Sequence, residues 1–352
     1  MSDLNKQPKR RAAAGVLAGA LAFTAGAFAT GVSPAMAAPG FELSRVAGEN
    51  RYQTSADTAA EFGAATEAIL ASGEVGRFPD ALSANFLAGV KGAPVLLTQR
   101  DTTPAVILAA LAASNVTTVT LIGGTDAISA AQETALRAAA YTVVRLGGRD
   151  RFLTSELVIG AGAAQAATIG IVTSGLRFPD ALGAGPLAYS GKHPVGLVTR
   201  DSVPPSMLAA FTAAGVTQVL IVGGQAVVGP QVVAQLAAAG ITVASRLAGQ
   251  TRSLTSVEVA NYLFANGFVT ATFNVASGDD RFGGVDALGA AALSGKTKRA
   301  LLITNTATDV GAVDDFATAK RATLNTGGRI FGGPAAVATA VEVAVETAGV
   351  GP

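Results

Sequence analysis

The chain has 352 residues, half of them apolar, with 42 Gly, no Trp, no Cys and a formal net charge of +1. Without Cys there are no disulfides, thiolate metal sites or cysteine nucleophiles, and the balanced charge gives no broad footprint for nucleic acid. Abundant Ala and Gly in place of large aromatics point to helices and sheets that approach closely.

The N-terminus reads as an export signal over residues 1–37. Lys6, Lys9, Arg10 and Arg11 precede an apolar run over residues 12–31, and Ala35-Met36-Ala37 places small residues at a cleavage site. The Arg10-Arg11 pair is a weak twin-arginine hint. Removing these residues leaves 21 basic against 23 acidic side chains, a net charge near −2. An anionic partner must then be met by locally placed arginines.

From residue 38 the elements alternate. Residues 41–47 predict a short strand and 54–62 a helix capped by Thr54 or Ser55, with Asp57 in its first turn. A strand over 68–71 leads into a loop, Arg77-Phe78-Pro79-Asp80, and a helix over 81–90. Strand 94–98, helix 104–113 with Pro at its start, strand 119–122 and helix 129–140 follow, the last with Gln132 or Glu133 near a reciprocal capping position. Residues 142–146 predict the next strand.

This sequence of elements then recurs. Arg77-Phe78-Pro79-Asp80-Ala81-Leu82 returns as Arg177-Phe178-Pro179-Asp180-Ala181-Leu182, and in altered form from Arg281 to Leu288. Upstream, Arg45-x-x-Gly48-x-x-Arg51-x-x-Thr54-Ser55 is matched from Arg145 to Ser155 and from Arg246 to Ser256. Downstream, Gly123-Gly124, Gly223-Gly224 and Gly332-Gly333 each close an apolar strand. The mature chain is therefore three copies of a unit of roughly a hundred residues, with boundaries at 38–142, 143–243 and 244–352.

Short apolar strands alternating with helices imply an α/β fold of three tandem Rossmann-like or toprim-like βα units with mostly parallel sheets. Copies one and two are each followed by a strand, whereas copy three ends in a helix. The strand at 41–47 can fill that place, which predicts a pseudo-threefold closed arrangement.

Asp80, Asp180 and Asp286 are expected as structural caps of the helices that follow them, and Phe78 and Phe178 as core-edge residues. Arg77, Arg177 and Arg281 serve neither purpose and lie in strand-to-helix loops, where open α/β sheets bind ligands. The sets Arg51, Arg151, Arg252 and Arg45, Arg145, Arg246 can tie a neighbouring unit's carboxylate or carbonyls, or hold phosphate or carboxylate on a polymer. A closed ring would present each set three times, which suits a repetitive ligand.

The double glycines read as tight turns, because no nucleotide-binding loop surrounds them. His193, the one histidine, is expected as an exposed loop residue without a nucleophile motif. One His cannot supply an amidase-type zinc set, and Asp279-Asp280 occurs in copy three alone. No catalytic residue, metal or cofactor is assigned.

The combination of Arg-x-x-Gly-x-x-Arg-Tyr/Phe-x-Thr-Ser, Arg-Phe-Pro-Asp-Ala-Leu and a strand ending in Gly-Gly resembles the cell wall-binding repeat 2 family of Gram-positive bacteria. The resemblance covers nearly all of the mature chain. It implies three toprim-like subdomains and non-covalent attachment to an anionic cell-wall glycopolymer, and with the export signal and no catalytic constellation the chain is expected to be a secreted, non-enzymatic surface protein. A wall hydrolase of amidase type, a modifier of one, or a structural surface-layer protein contacting other proteins are the alternatives. Copy three departs from the pattern, with Ser253 at the aromatic position and Gly283-Gly284-Val285 where the others carry Pro.

Overall fold

The computed structural model describes residues 41–351 apart from 178, 270 and 280–283. The export signal, Phe178 and Arg281 fall outside the described residues.

Copy one runs β1 (Leu43–Val46), α1 (Arg51–Phe62), β2 (Glu67–Ser72), a 3-10 turn (Phe78–Ser83), α2 (Ala84–Lys91), β3 (Val95–Thr98), α3 (Ala105–Ala113), β4 (Thr118–Ile122) and α4 (Ala130–Ala138). Copy two repeats this as β5 (Thr142–Leu146), α5 (Arg151–Gly162), β6 (Ile169–Ser174), α6 (Pro179–Leu182), α7 (Gly185–Ser190), β7 (Val195–Val198), α8 (Pro205–Ala213), β8 (Gln218–Val222) and α9 (Pro230–Ala238). Copy three contains β9 (Thr242–Leu247), α10 (Arg252–Ala265), β10 (Phe273–Ser277), α11 (Val285–Lys296), β11 (Ala300–Thr304), α12 (Gly311–Lys320), β12 (Gly328–Phe331) and α13 (Thr339–Val350).

Three open four-stranded sheets result, ordered β3-β2-β4-β5, β7-β6-β8-β9 and β11-β10-β12-β1, and every pairing is parallel. The first strand of copy two completes the sheet of copy one, and the first strand of copy three completes that of copy two. The cycle closes as expected: β1 pairs with β12 in the register Leu43↔Gly328 to Val46↔Phe331. Phe41, just before β1, stacks on Phe273 of copy three with ring centroids 4.9 Å apart. Strands β3 and β7 are buried throughout although each ends its sheet, because the opening helix of their own copy packs on them, α1 on β3 and α5 on β7.

The composition finds its reason at the centre, where α2, α7 and α11 pack against one another. A Cβ on Gly89 would lie 2.1 Å from the Tyr189 carbonyl oxygen, and one on Gly185 would lie 2.3 Å from the Ala291 Cβ. Only small residues permit that approach. Helix α11 is buried nearly all round, through Ala287, Ala290, Ala291 and Ala292 among others, the pattern of a core helix and not a surface one. One hydrophobic cluster joins these helices to the inner faces of all three sheets, while copies one and two each keep a second cluster under their outer helices.

Neighbouring copies meet in the same way three times. The opening helix of each copy packs on the preceding one: α5 on α2, α10 on α6, and α1 on α11. The last contact is reinforced by Lys296, whose Nζ donates to the Phe62 carbonyl at 2.6 Å and sits 3.9 Å above the Phe62 ring.

Candidate functional site

The opening helices are capped one turn earlier than the sequence suggests. Asn50 Oδ1 accepts from the Tyr52 and Gln53 amides, Asp150 Oδ1 from Leu153 N, and Thr251 Oγ1 from Leu254 N. Thr54 and Ser55 therefore lie inside the helix. Their hydroxyls instead accept from Gly48 N at 3.1 Å and Leu97 N at 2.9 Å, binding the strand-end loop and β3 to the helix. Thr154 and Ser155 repeat this toward Gly148 and Leu197, as do Thr255 and Ser256 toward Gly249 and Ile303. Asp57 lies beyond the first turn and accepts from Gln53 Nε2 at 2.8 Å.

The repeated arginines divide into two jobs. Arg51, Arg151 and Arg252 each donate to the carbonyl of the glycine after the first inner strand of their own copy, at Gly73, Gly175 and Gly278. Arg45, Arg145 and Arg246 hold the edge strand in place: they donate to the carbonyls of Gly332, Gly123 and Gly223. Arg45 and Arg145 also pair with Glu342 and Glu133, both at 2.7 Å. Glu133 thus anchors arginines instead of closing a capping box, and Arg137 and Arg145 hold its carboxyl below the ordinary range. Burial lowers the pKa of Arg246. This second set is engaged within the sheets.

The aspartates do not cap. The turn after β2 begins as a 3-10 helix with Arg77 at its N-cap position and no side-chain cap bond, and Asp80 stands inside it. Asp180 is likewise inside the first turn of α6, and Asp286 inside that of α11, which Gly284 precedes. Their carboxylates face the next copy. Asp80 lies by Thr154 and Arg151, Asp180 by Thr255 and Arg252, and Asp286 by Arg51. Burial raises all three carboxyl pKa values against the pull of these partners, and pushes Asp286 up to about 6. One oxygen of Asp80 and one of Asp286 are buried without a hydrogen-bond partner among the described residues.

Behind each carboxylate stands the first residue of a Gly-Gly pair, at φ +121°, +116° and +104° for Gly123, Gly223 and Gly332. A Cβ there would lie 3.0, 3.2 and 2.8 Å from an oxygen of Asp80, Asp180 and Asp286. The double glycines are turns, as expected, and they also make room for the junction carboxylates.

Each junction opens into a pocket at the C-terminal ends of the strands. Between copies one and two it measures about 550 Å³ and is lined by Arg77, Arg149 and Arg151, with Asp80, Asp126 and Asp150. Its counterpart between copies two and three measures about 560 Å³ and is lined by Arg177, Arg252, Asp180, Gln250 and Asn305. The third, between copies three and one, measures about 260 Å³, with Arg51, Glu49, Asn50 and Asp286 in its walls. Arg77 donates to the Asp126 carbonyl and pairs with Glu74 at 3.2 Å.

Among the predicted residues, then, one arginine of the Arg51 set, one Asp and, in the first two junctions, one arginine of the Arg77 set come together across copies. Arg149 joins them without having been expected. Its counterparts are Glu49 and Gln250, so repetition gave no signal there. Phe78 is buried as expected. His193 is not an exposed loop residue: it is 4 % exposed, with Nδ1 2.8 Å from the Ile169 carbonyl and its ring edge-on to Phe268. Burial lowers its pKa, because the charged imidazolium loses its hydration there.

The class defined by this architecture is a three-copy α/β repeat protein closed on itself, with a polar pocket at each seam. The Cell wall binding domain 2 family matches residues 45–133, 145–233 and 246–342, and the chain belongs to it as a cell wall-binding protein. It is 25% identical over 264 residues to the N-acetylmuramoyl-L-alanine amidase LytC of Bacillus subtilis, covering 75% of this chain and 50% of LytC. It is also 30% identical over 162 residues to the amidase enhancer of the same organism, covering 46% of this chain and 21% of that protein. Among solved structures, Cwp6 from Clostridium difficile superposes with a TM-score of 0.76 at 22% identity, covering 88% of this chain and 48% of Cwp6. Cwp8 from the same organism gives 0.74 at 23%, covering 89% and 52%. The chain thus spans about half the length of LytC, Cwp6 and Cwp8.

Proposed function

We propose that this chain is a secreted, non-catalytic surface protein that attaches non-covalently to an anionic glycopolymer of the cell wall through its junction pockets. The observation that carries this reading, in a chain of the cell wall binding family, is the recurrence of an arginine-lined pocket at the two wide junctions. Arg77, Arg149 and Arg151 in the first junction and Arg177 and Arg252 in the second present guanidinium groups suited to phosphate or carboxylate. Repetition lets one polymer engage several pockets, which multiplies weak contacts into firm retention.

Catalysis finds less support. His193 is enclosed and tied to a backbone carbonyl, and the similarity to LytC covers half of that enzyme. The described residues include no helix long and apolar enough to cross a membrane, and attachment through the wall polymer would hold the protein at the surface.

The test is sedimentation with purified cell walls before and after chemical removal of their anionic polymers. Protein that pellets with intact walls and stays in solution with stripped ones fits the proposal. Equal pelleting with both would move the target to peptidoglycan or to another protein.

A further inference from the structure

The two most exposed large apolar side chains among the described residues are Val75, 63% exposed, and Leu176, 58% exposed. A lone exposed apolar residue is ordinary, but these two occupy the corresponding loop in copies one and two. Each lines the wide pocket of its junction, together with Pro79 and Ala127 or with Pro179 and Val227. Each also stands within two residues of the mouth arginine, Arg77 or Arg177. A carboxylate, Asp80 or Asp180, lines the same pocket and forms its floor.

Three chemistries therefore meet in one pocket of about 550 Å³. A cationic mouth takes an acid. A floor that can only accept hydrogen bonds when ionised asks for hydroxyl donors, and would repel a phosphate pushed deep into the pocket. The aliphatic wall asks for a continuous face of C–H groups. An acyclic polyol phosphate offers the acid but no such face, since nearly every carbon carries oxygen. A pyranose ring bearing a carboxylate offers all three at once.

We infer that the two wide junctions select an acidic sugar in ring form, its C–H face on Val75 or Leu176, its hydroxyls toward Asp80 or Asp180 and its acid on Arg77 or Arg177. This rests on the junction pockets being the polymer site, and it names the residue class of the polymer they take.

The test compares tetragalacturonate with a glycerol phosphate oligomer of matched charge, by calorimetric titration of the whole chain. Tetragalacturonate should bind at least about fivefold more tightly, and the double substitution Val75→Ser, Leu176→Ser should weaken it about tenfold while leaving the phosphate oligomer unchanged. Both side chains are exposed, so a melting temperature within about 2 °C of the original should accompany the loss. Equal or tighter binding of the phosphate oligomer, or no loss in the double variant, overturns the inference. If intact walls still retain the protein through Arg77 and Arg177 in that event, the ring-sugar assignment alone falls. If neither probe nor walls depend on those arginines, the junction reading falls with it.

Discussion

The junction between copies one and two and the one that closes the chain, between copies three and one, are made from the same parts and differ in room and charge. Both set an aspartate from a strand-to-helix turn against the opening helix of the next copy, with a glycine behind it. The first encloses about 550 Å³ and carries Arg149, whereas the closing one encloses about 260 Å³ and carries Glu49 at that place. The same seam can thus be weighted toward a ligand or toward holding two copies together. We assign the wide seams to the polymer and the narrow one mainly to closure.

The sharpest way to break the comparison is to remove the closing strand. Deleting residues 41–47 takes away the β1–β12 ladder and the burial of Phe41, Leu43 and Val46, each about 1.5–3 kcal/mol. Thermal unfolding should fall by well over 10 °C or lose its single transition, and an unchanged melt would contradict the closed arrangement. Next in size, Gly332→Ala forces a Cβ to within 2.8 Å of the Asp286 carboxylate at φ +104°. It should cost about 1–3 kcal/mol of stability in a denaturant titration.

Asp286 offers a test by pH. Its carboxyl is raised from 3.8 to about 6 by burial, so the folded state holds the proton more tightly than the unfolded chain does. Stability from this group is therefore present at low pH and is lost as pH rises through 6. Between pH 7.5 and pH 5 the original protein should gain about 1.4 kcal/mol relative to Asp286→Asn, measured as the difference between the two denaturation curves. A flat difference would remove the junction carboxyl from closure. The smallest expected effect is that of Arg149→Gln, an exposed cation, which should weaken wall binding about threefold at low salt and less at high salt.

The parts legible in the sequence were those that repeat at a fixed spacing. Arg45 and Arg51 recur at fixed spacing because each meets a glycine carbonyl that is itself repeated, and Gly48 because its amide donates to the repeated Thr54 hydroxyl. Strand bookkeeping exposed the closure, since copy three lacked a fourth strand and residues 41–47 supplied one. The helix caps were missed because Asn50, Asp150 and Thr251 are three different residues doing one job, while the invariant Thr-Ser pair beside them does another. Asp80 looked like a cap since Pro79 precedes it. Its true neighbours, Arg151 and Thr154, lie in the next copy, and no local pattern could pair them. Arg149 has no repeated counterpart, and the burial of His193 depends on Phe268 of another copy.

The central claim is that the arginines at the wide seams, and not surface charge in general, hold the wall polymer. It is tested most directly by titrating purified anionic wall polymer into the protein, into Arg77→Gln, Arg177→Gln, and into Arg137→Gln, Arg200→Gln. The last pair removes the same charge from exposed arginines that line neither wide pocket. The account predicts a loss of tenfold or more, about 1.4 kcal/mol, for the junction pair and less than about twofold for the control pair. Equal losses in the two pairs, or none in the first, would contradict it.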